Sequence, residues 1–252
     1  VAWCWRAGGG VTSSNTDGSI TSTVQSSTSG GFSICTYTGN GTNGATFGHG
    51  LSAKPSFVII KNRDASQKWA VWHQSMEQND NKLLFLNESS GLTTEGTQRW
   101  DVSAISNSVF GLGSHPEING SGADYVAYIW HDVEGMQRFG KFTGNGNDDG
   151  PFIYLGFRPR LVAIKWVTGV NSAEDWGVFD TARSTSNPSS NDSTSQLHWN
   201  RSIAGVNTSA HKIDFLSNGF KLRGSGGLNN TSGATYIYMC WADVPFKYNN
   251  TF

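Results

Sequence analysis

Cysteine, charge and long apolar runs are all scarce in this chain of 252 residues. Its three cysteines, Cys4, Cys35 and Cys240, are an odd number without metal-ligand spacing. A disulfide framework and a cysteine-ligated metal are therefore not expected. No apolar run approaches the roughly 18 residues of a membrane helix, so membrane insertion is not predicted.

Charged residues are equally sparse. They make up 15% of the chain and sum to a net charge of −1, against roughly 25% charged residues in typical globular proteins. This balance offers no electrostatic basis for binding a polyanion, so nucleic acid is not a predicted partner. The chain instead has 31 glycines, and its many turn-forming and uncharged polar residues are typical of all-β extracellular and virion proteins.

The most informative feature that is present is an internal repeat. Residues 37–42 (YTGNGT) return as 142–147 (FTGNGN), 105 residues later, and residues 125–130 (YVAYIW) return as 236–241 (YIYMCW), 111 residues later. A duplicated unit of this size is domain-sized and far longer than a solenoid repeat. The sequence therefore predicts two related domains, over residues 32–135 and 136–252.

Residues 1–31 are predicted to precede these domains. Residues 1–5 (VAWCW) match the end of both copies and are interpreted as the end of an upstream repeat, with a strand swapped into one domain as the alternative. Residues 6–31 are rich in Gly, Ser and Thr. They are predicted to be a flexible linker, or an extended segment anchored through Ile20, Val24 and Phe32. Cys4 and Cys240 fall at matching positions of the closing strand, which predicts that both are buried.

The fold class predicted is all-β. Short runs rich in β-branched and aromatic residues are bounded by Gly, Asn, Asp or Ser, and alternation of period two is clearest in residues 212–216 and 236–241. No helical stripe extends over three turns. The spacing of the runs favours antiparallel sheets over a parallel βαβ arrangement. We therefore expect two tandem antiparallel β-sandwich domains, of jelly-roll or lectin-like type, related by internal duplication.

Residues 145–150 (NGNDDG) contain a weak candidate for a metal site. The side chains of Asn145, Asn147 and Asp149 alternate as in the first half of a calcium loop, but the bidentate Glu of such a loop is missing. A turn that needs positive φ explains the sequence equally well without an ion. Calcium is the weaker interpretation, and no cofactor is predicted.

Signals of catalysis are weak in the sequence. Its carboxylates form no recognisable pair, no histidine is retained in both copies, and a Gly-x-Ser-x-Gly nucleophile elbow is absent. The protein is therefore predicted not to be an enzyme.

Tryptophan is abundant, with 10 residues. Four recur at matching positions, which indicates core packing: Trp69, Trp130, Trp176 and Trp241. Trp100, Trp166 and Trp199 have no aromatic counterpart in the other copy. These three are the candidate exposed platforms for a sugar ring or a partner.

Several segments carry a resemblance to a known family: residues 37–44 (YTGNGTNG), 148–159 (DDGPFIYLGFRP), 180–184 (DTARS) and 213–223 (IDFLSNGFKLR). Together they resemble a repeated domain of tail-associated proteins of tailed, often marine, bacteriophages, over nearly all of residues 32–247. The resemblance implies a virion or extracellular location in a tail fibre or other appendage, with other virion proteins as partners. It also implies a homo-oligomer, with a trimer as the expected form, and it supplies no ligand residues.

The predicted function is therefore that of a non-enzymatic virion structural protein that contributes to attachment to a host-surface glycan. Loops on a rigid scaffold suit binding, and weak sites gain strength from multivalent display. The alternatives are a secreted carbohydrate-binding module and a purely architectural capsid-decoration or filament subunit. A hydrolase of surface polysaccharide ranks last.

Overall fold

The computed structural model describes residues 2–94, 96–169, 173–183, 187 and 194–242. Val1, Ser184 and residues 243–247, to which some of the interpretations above refer, lie outside them. The chain forms several antiparallel β-sheets in two units. Unit 1 comprises Val1–Leu86 and Thr93–Val133, and unit 2 comprises Asn87–Leu92 and Glu134–Phe252.

Unit 1 is built from ten strands among its described residues: β1 (Ser13–Asn15), β2 (Ser22–Ser27), β3 (Phe32–Thr38), β4 (Ala45–Gly48), β5 (Phe57–Asn62), β6 (Ala70–His73), β7 (Lys82–Phe85), β8 (Thr93–Thr94), β9 (Val109–Leu112) and β10 (Asp124–Trp130). The larger sheet has the order β1-β2-β3-β10-β5-β6-β7-β8, and β4 pairs with β9 in a second sheet. A 3₁₀ turn spans Val102–Ala104, and a four-residue helix α1 spans Pro116–Asn119.

Aromatic side chains pack between the two sheets of unit 1. The Tyr37 ring on β3 stacks on Phe47 of β4 with the ring centroids 4.5 Å apart. Trp72 of β6 meets Phe110 of β9 edge-on at 5.7 Å. Because strand side chains alternate between faces, the inward residues of both sheets meet in one layer, which gives unit 1 a sandwich-like core.

Unit 2 has the strands β11 (Gln137–Thr143), β12 (Phe152–Tyr154), β13 (Pro159–Thr168), β14 (Gly177–Asp180), β15 (Thr194–His198), β16 (Val206–Thr208), β17 (Ile213–Leu216), β18 (Gly219–Leu222) and β19 (Thr235–Ala242). One sheet has the order β11-β19-β13-β14-β15-β16, and the other has the order β12-β18-β17. Both sheets contribute to one buried cluster, with Val162 and Tyr236 from the first and Ile213 and Phe220 from the second. Unit 2 is therefore also sandwich-like.

The large sheets of the two units share an order of strands. In unit 1 the closing strand β10 lies between β3 and β5. In unit 2 the closing strand β19 lies between β11 and β13 in the same way. The sequence β6-β7-β8 then continues the first sheet, as β14-β15-β16 continues the second. The all-β, antiparallel prediction is confirmed.

Two expectations for the amino-terminal residues need correction. The linker interpretation is wrong for residues 13–27, because these supply β1 and β2 of the unit 1 sheet, with Ile20, Val24 and Phe32 buried as anchors. Cys4 is exposed, whereas Cys240 is buried as predicted. The difference arises because Cys240 lies in β19, while residues 2–12 form no strand.

The only α-helix in the described part of the chain is the four-residue α1, and none of its helices could cross a membrane.

Candidate functional site

The loop after β3 is fixed by a buried asparagine. Asn119, at the end of α1, has no exposed surface. Its Nδ2 donates to the carbonyl oxygens of Thr42 and Gly113, each at 2.9 Å, and its Oδ1 accepts from the amide of Asn40 at 3.0 Å. Gly41 in this loop has a φ of +70°, a conformation that favours glycine.

Unit 2 repeats this arrangement. Asn230 is also fully buried, and its Nδ2 donates to the carbonyl oxygens of Asn147 at 2.8 Å and Gly224 at 2.9 Å. Its Oδ1 accepts from the amide of Asn145 at 2.9 Å. We call Asn119 and Asn230 the asparagine clamps, because each ties three separate backbone groups together.

The weak calcium candidate lies in the clamped loop of unit 2. Asn145 Oδ1 accepts from the Asn147 amide at 3.0 Å, and Asn147 Oδ1 accepts from the Asp149 amide at 2.9 Å. The Asp149 carboxylate contacts Lys221 at 2.9 Å. The hydrogen bond from Lys221 and its charge lower the pKa of Asp149. Among the described residues no group of three His, Cys, Asp or Glu side chains could hold a metal ion. The side-chain oxygens of Asn145 and Asn147 thus accept from amides of the turn, while the Asp149 carboxylate contacts cations of β18 and the residue after it.

Trp100 and Trp166 are not the exposed platforms that the sequence predicted. Trp100 has no exposed surface, because its ring packs edge-on against Phe110 and its Nε1 donates to the Lys82 carbonyl oxygen at 2.8 Å. Trp166 is 6% exposed. Trp199 is partly exposed, and its ring lies 6.0 Å from that of Trp176. These burials correct the expectation of exposure for the first two.

Trp166 is covered by a segment that the sequence did not assign to unit 2. Asn87–Leu92, hereafter the 87–92 segment, belongs to this unit although it lies between β7 and β8 in the chain. A Cβ atom on Gly91 would lie 2.1 Å from Cζ3 of Trp166, so only a glycine fits against the ring. The Leu92 amide donates to the Val167 carbonyl oxygen at 3.0 Å. Val167 lies at an irregularity in the β13–β19 ladder, where it has no cross-strand partner in β19.

A buried lysine also holds the 87–92 segment. Lys165 has no exposed surface, and its Nζ donates to the carbonyl oxygen of Ser89 at 2.7 Å and to that of Glu174. Burial lowers the Lys165 pKa to about 8, against the opposing charges of Asp175, Glu174 and Glu88. Because this amine is enclosed and engaged by two carbonyl groups, it joins two segments and is not open to a substrate.

An open cleft of about 700 Å³ lies beside this lysine in unit 2. It is lined by Asn87, Glu88, Ser89, Ser90, Ala173, Glu174, Asp175, Asn200 and Arg201. Asp175 accepts from Asn200 Nδ2 at 2.7 Å and pairs with Arg201 Nη1 at 3.1 Å. Burial and the charge of Asp175 raise the pKa of Glu174, and the Lys165 charge opposes them.

A second open cleft, of about 850 Å³, lies in unit 1 and is richer in amides. Its lining comprises Asn43, Gln78, Asn79, Asp80, Asn81, Gly96, Thr97, Gln98, Val102, Ser103 and Ser114. Asp80 organises it, because its carboxylate accepts from the Val102 amide at 2.8 Å and from Gln98 Nε2 at 2.5 Å. Gln98 Oε1 in turn accepts from Asn43. Amides and carboxylates of this kind can bind hydroxyl groups as donors and acceptors.

Sequence reasoning missed the aromatic residues that are most exposed among those that the structure describes. Phe152 is 45% and Tyr154 58% exposed, and both lie on β12. The signal was available, because the two residues flank Ile153 with a period of two, which places them together on one face. The candidate platforms were predicted among tryptophans alone, so Phe152 and Tyr154 were not included.

These observations define an all-β protein with two sandwich-like units, polar open clefts and loops fixed by buried asparagines. The model of one family, described as a domain of unknown function (DUF7483), matches residues 1–245. The chain therefore belongs to this family. Searches of curated proteins and of solved structures returned no match.

Proposed function

We propose that this protein is a non-enzymatic structural segment of a tail fibre or similar appendage of a tailed bacteriophage, and that it contributes to attachment to a host-surface glycan. The resemblance of residues 37–44 and 148–159 to tail-associated repeats supports the virion assignment. The low charge and the abundance of glycine are typical of such proteins.

Attachment is favoured over catalysis because several titratable groups at the two clefts are engaged in hydrogen bonds and ion pairs within the protein. Asp80 is bound to a backbone amide and an amide side chain, Asp175 is bound to Asn200 and Arg201, and Lys165 is bound to two carbonyl groups. Groups tied in this way shape the surface but are poorly placed to transfer a proton or attack a bond. Most of the remaining lining of the unit 1 cleft consists of amide and hydroxyl side chains, whereas the unit 2 cleft also contains Glu88, Glu174 and Arg201.

We infer that the units are jelly-roll or lectin-like sandwiches that arose by duplication. The shared order of strands and the two asparagine clamps, at positions 111 residues apart (230 less 119), support this inference. Sandwich scaffolds that carry variable loops suit the role of an appendage.

The proposal extends to the assembled state. We expect a homo-oligomer, a trimer by resemblance, which contacts other virion proteins and lies outside the cell. Oligomerisation would multiply weak glycan contacts into firm attachment.

A glycan array probed with the labelled full chain tests the attachment function. We expect retention on a subset of bacterial surface glycans, with the bound glycan recovered intact by mass spectrometry. Shortened glycan would identify a hydrolase. Absence of retention on every host-derived glycan would remove the attachment role and favour an architectural subunit.

A further inference from the structure

β12 of unit 2 presents an exposed aromatic pair. Four large hydrophobic side chains are substantially exposed among the residues that the structure describes: Val11, Phe152, Tyr154 and Ile203. Two of these four lie on β12, two positions apart. Residues i and i+2 of a strand lie on one face about 7 Å apart, so Phe152 and Tyr154 form a continuous aromatic surface.

The sheet beneath makes this surface rigid. Ile153, between the two aromatics, points to the opposite face and joins the buried cluster of unit 2. Phe152 pairs with Lys221 of β18, and Tyr154 pairs with Gly219. A Cβ atom on Gly219 would lie 3.1 Å from Cε2 of Phe152. The same Cβ atom would lie 2.1 Å from the Ile153 carbonyl oxygen, so the glycine at position 219 allows β12 and β18 to approach closely beneath the Phe152 ring.

Paired charges border the aromatic surface. Lys221 contacts Asp149 at 2.9 Å, and Arg223 contacts Asp149 at 3.4 Å and Asp214 at 2.5 Å. Two cations thus face two anions, which leaves the border polar but without net charge. Such a border provides hydrogen-bond donors and acceptors and gives no preference for a charged ligand.

The corresponding edge of unit 1 is closed. Phe47 of β4 pairs with Phe110 of β9, just as Ile153 of β12 pairs with Phe220 of β18. Thr46 and Gly48 of β4 therefore hold the positions of Phe152 and Tyr154.

These two β4 positions are covered by the chain itself. The Ile20 amide donates to the Thr46 carbonyl oxygen at 2.9 Å, and Ser22 Oγ donates to the Gly48 carbonyl oxygen at 2.6 Å. A Cβ atom on Gly48 would lie 1.7 Å from Oδ1 of Asn15.

This contrast argues against a chain segment as the occupant of β12. The cover in unit 1 needs glycine at position 48, because Asn15 occupies the space of its side chain. Unit 2 has a tyrosine there, so a segment laid in the same way would collide with its ring. Exposed, rigid aromatic rings with a polar border suit instead a ligand that has apolar faces and hydroxyl edges.

We propose that Phe152 and Tyr154 form the glycan-contacting surface of this protein, and that the glycan is a neutral polysaccharide whose sugar rings stack on the two aromatic rings. The inference rests on the proposed function of glycan attachment, and it places the contact on β12 instead of in the clefts or on a tryptophan. Lys221 and Arg223 lie where they can bind the ring hydroxyls at the border.

The test compares variants of the full chain on a neutral glycan that the wild type retains. Phe152→Ala and Tyr154→Ala should each weaken binding about tenfold or more, since ring contacts of this kind dominate binding energies. Tyr154→Phe keeps the ring and should bind nearly as the wild type does. Ile203→Ala removes a similarly exposed side chain elsewhere in unit 2, and Asn79→Ala alters the unit 1 cleft. Both should leave affinity unchanged.

A second readout does not depend on variants. Addition of the same glycan to the isotopically labelled full chain should shift the NMR signals of Phe152, Tyr154 and Lys221 before those of residues 78–81. Analytical ultracentrifugation of the alanine variants should show the wild-type oligomeric state.

The outcomes separate this inference from the function on which it rests. Wild-type binding that survives both alanine substitutions, binding lost in Asn79→Ala alone, or an exclusive preference for anionic glycans would overturn the aromatic site while attachment stands. An oligomer that dissociates in the alanine variants would make β12 an interface between copies and also overturn it. If the wild type retains no glycan at all, the attachment function fails first.

Discussion

Each asparagine clamp holds three backbone groups through one buried amide side chain. Asn230 forms hydrogen bonds with three backbone groups, two in the loop of Asn145 and Asn147 and one at Gly224, and it has no exposed surface. Its removal would leave buried carbonyl groups without donors, which costs more than the hydrogen bonds themselves contribute.

Asn230→Ala should therefore lower the free energy of unfolding of unit 2 by about 2–4 kcal/mol. Asn147→Ala, at an exposed turn residue, is the control and should cost less than about 1 kcal/mol. Urea titration followed by circular dichroism measures both. Equal effects of the two substitutions would show that the buried amide has no special role.

Asn229, next to the clamp, is buried with neither amide atom bonded to another group of the chain. The residue before the other clamp is Ile118, which is also fully buried. Asn229→Ile should stabilise unit 2 by about 1–3 kcal/mol, because it removes unsatisfied polar atoms from the interior. Ile118→Asn should destabilise unit 1 by a similar amount. Thermal unfolding measures the stability of both variants. A destabilised Asn229→Ile variant would contradict the claim that the buried Asn229 amide is unsatisfied.

Buried histidines should make the protein sensitive to acid. Burial lowers the pKa of His49 to about 4, and Nδ1 of this ring accepts from the Leu51 amide at 3.3 Å. The unfolded chain binds this proton near its ordinary pKa of 6.5 and the folded chain only near 4, so stability falls as pH decreases between these values. The loss approaches roughly 3 kcal/mol.

His49→Gln should remove that loss from unit 1, as seen in the free energy of unfolding at pH 7 and pH 4.5. Burial likewise lowers the pKa of His211 in unit 2 to about 4, so His211→Gln is the companion variant. If the free energy of unfolding fell equally between pH 7 and pH 4.5 in the wild type and in His49→Gln, protonation of His49 would not cause the acid sensitivity.

At the scale of elements, the 87–92 segment depends on one glycine. Gly91→Ala should destabilise unit 2 by about 1–3 kcal/mol, because the new methyl group would overlap the buried Trp166 ring. Gly96→Ala is the matched control, because no atom lies within 4 Å of its added Cβ. A protease specific for glutamate should cleave at Glu88 faster in Gly91→Ala. An unchanged cleavage rate and stability would contradict tight packing.

Strands were the elements most open to prediction. Alternation in residues 212–216 and 236–241 predicted β17 and β19. The structure differs in one respect, because β19 is buried on both faces, with Ile237 and Met239 as fully enclosed as Tyr236. The 87–92 segment could not be predicted, because its position depends on a glycine fitting a distant ring and on a lysine reaching two carbonyl groups. Neither contact leaves a periodic pattern in the sequence.

The same limit applies to the candidate site. Trp100 is buried against Phe110, and Trp166 is buried against Gly91. The second contact joins two residues that lie far apart in the sequence. Exposure of Phe152 and Tyr154 follows from Ile153, which points into the buried cluster and so turns its two neighbours to the opposite face of β12. Local sequence can place aromatics on a strand face, but only the packing of the sheet against its neighbouring layer decides which face remains open.

At the scale of the whole molecule, two sandwich-like units in one chain suit a repetitive structural role. The two units share an order of strands and a clamped loop, while the β4 and β12 strands differ in what covers them. We infer that one unit serves mainly architecture and that unit 2 adds the binding surface.

Immunogold electron microscopy of intact particles of a phage that encodes this chain tests the central claim most directly. We expect antibodies raised against the full chain to label the tail or its fibres. Label spread over the capsid, or particles that carry no label at all, would contradict a role in a host-contacting appendage.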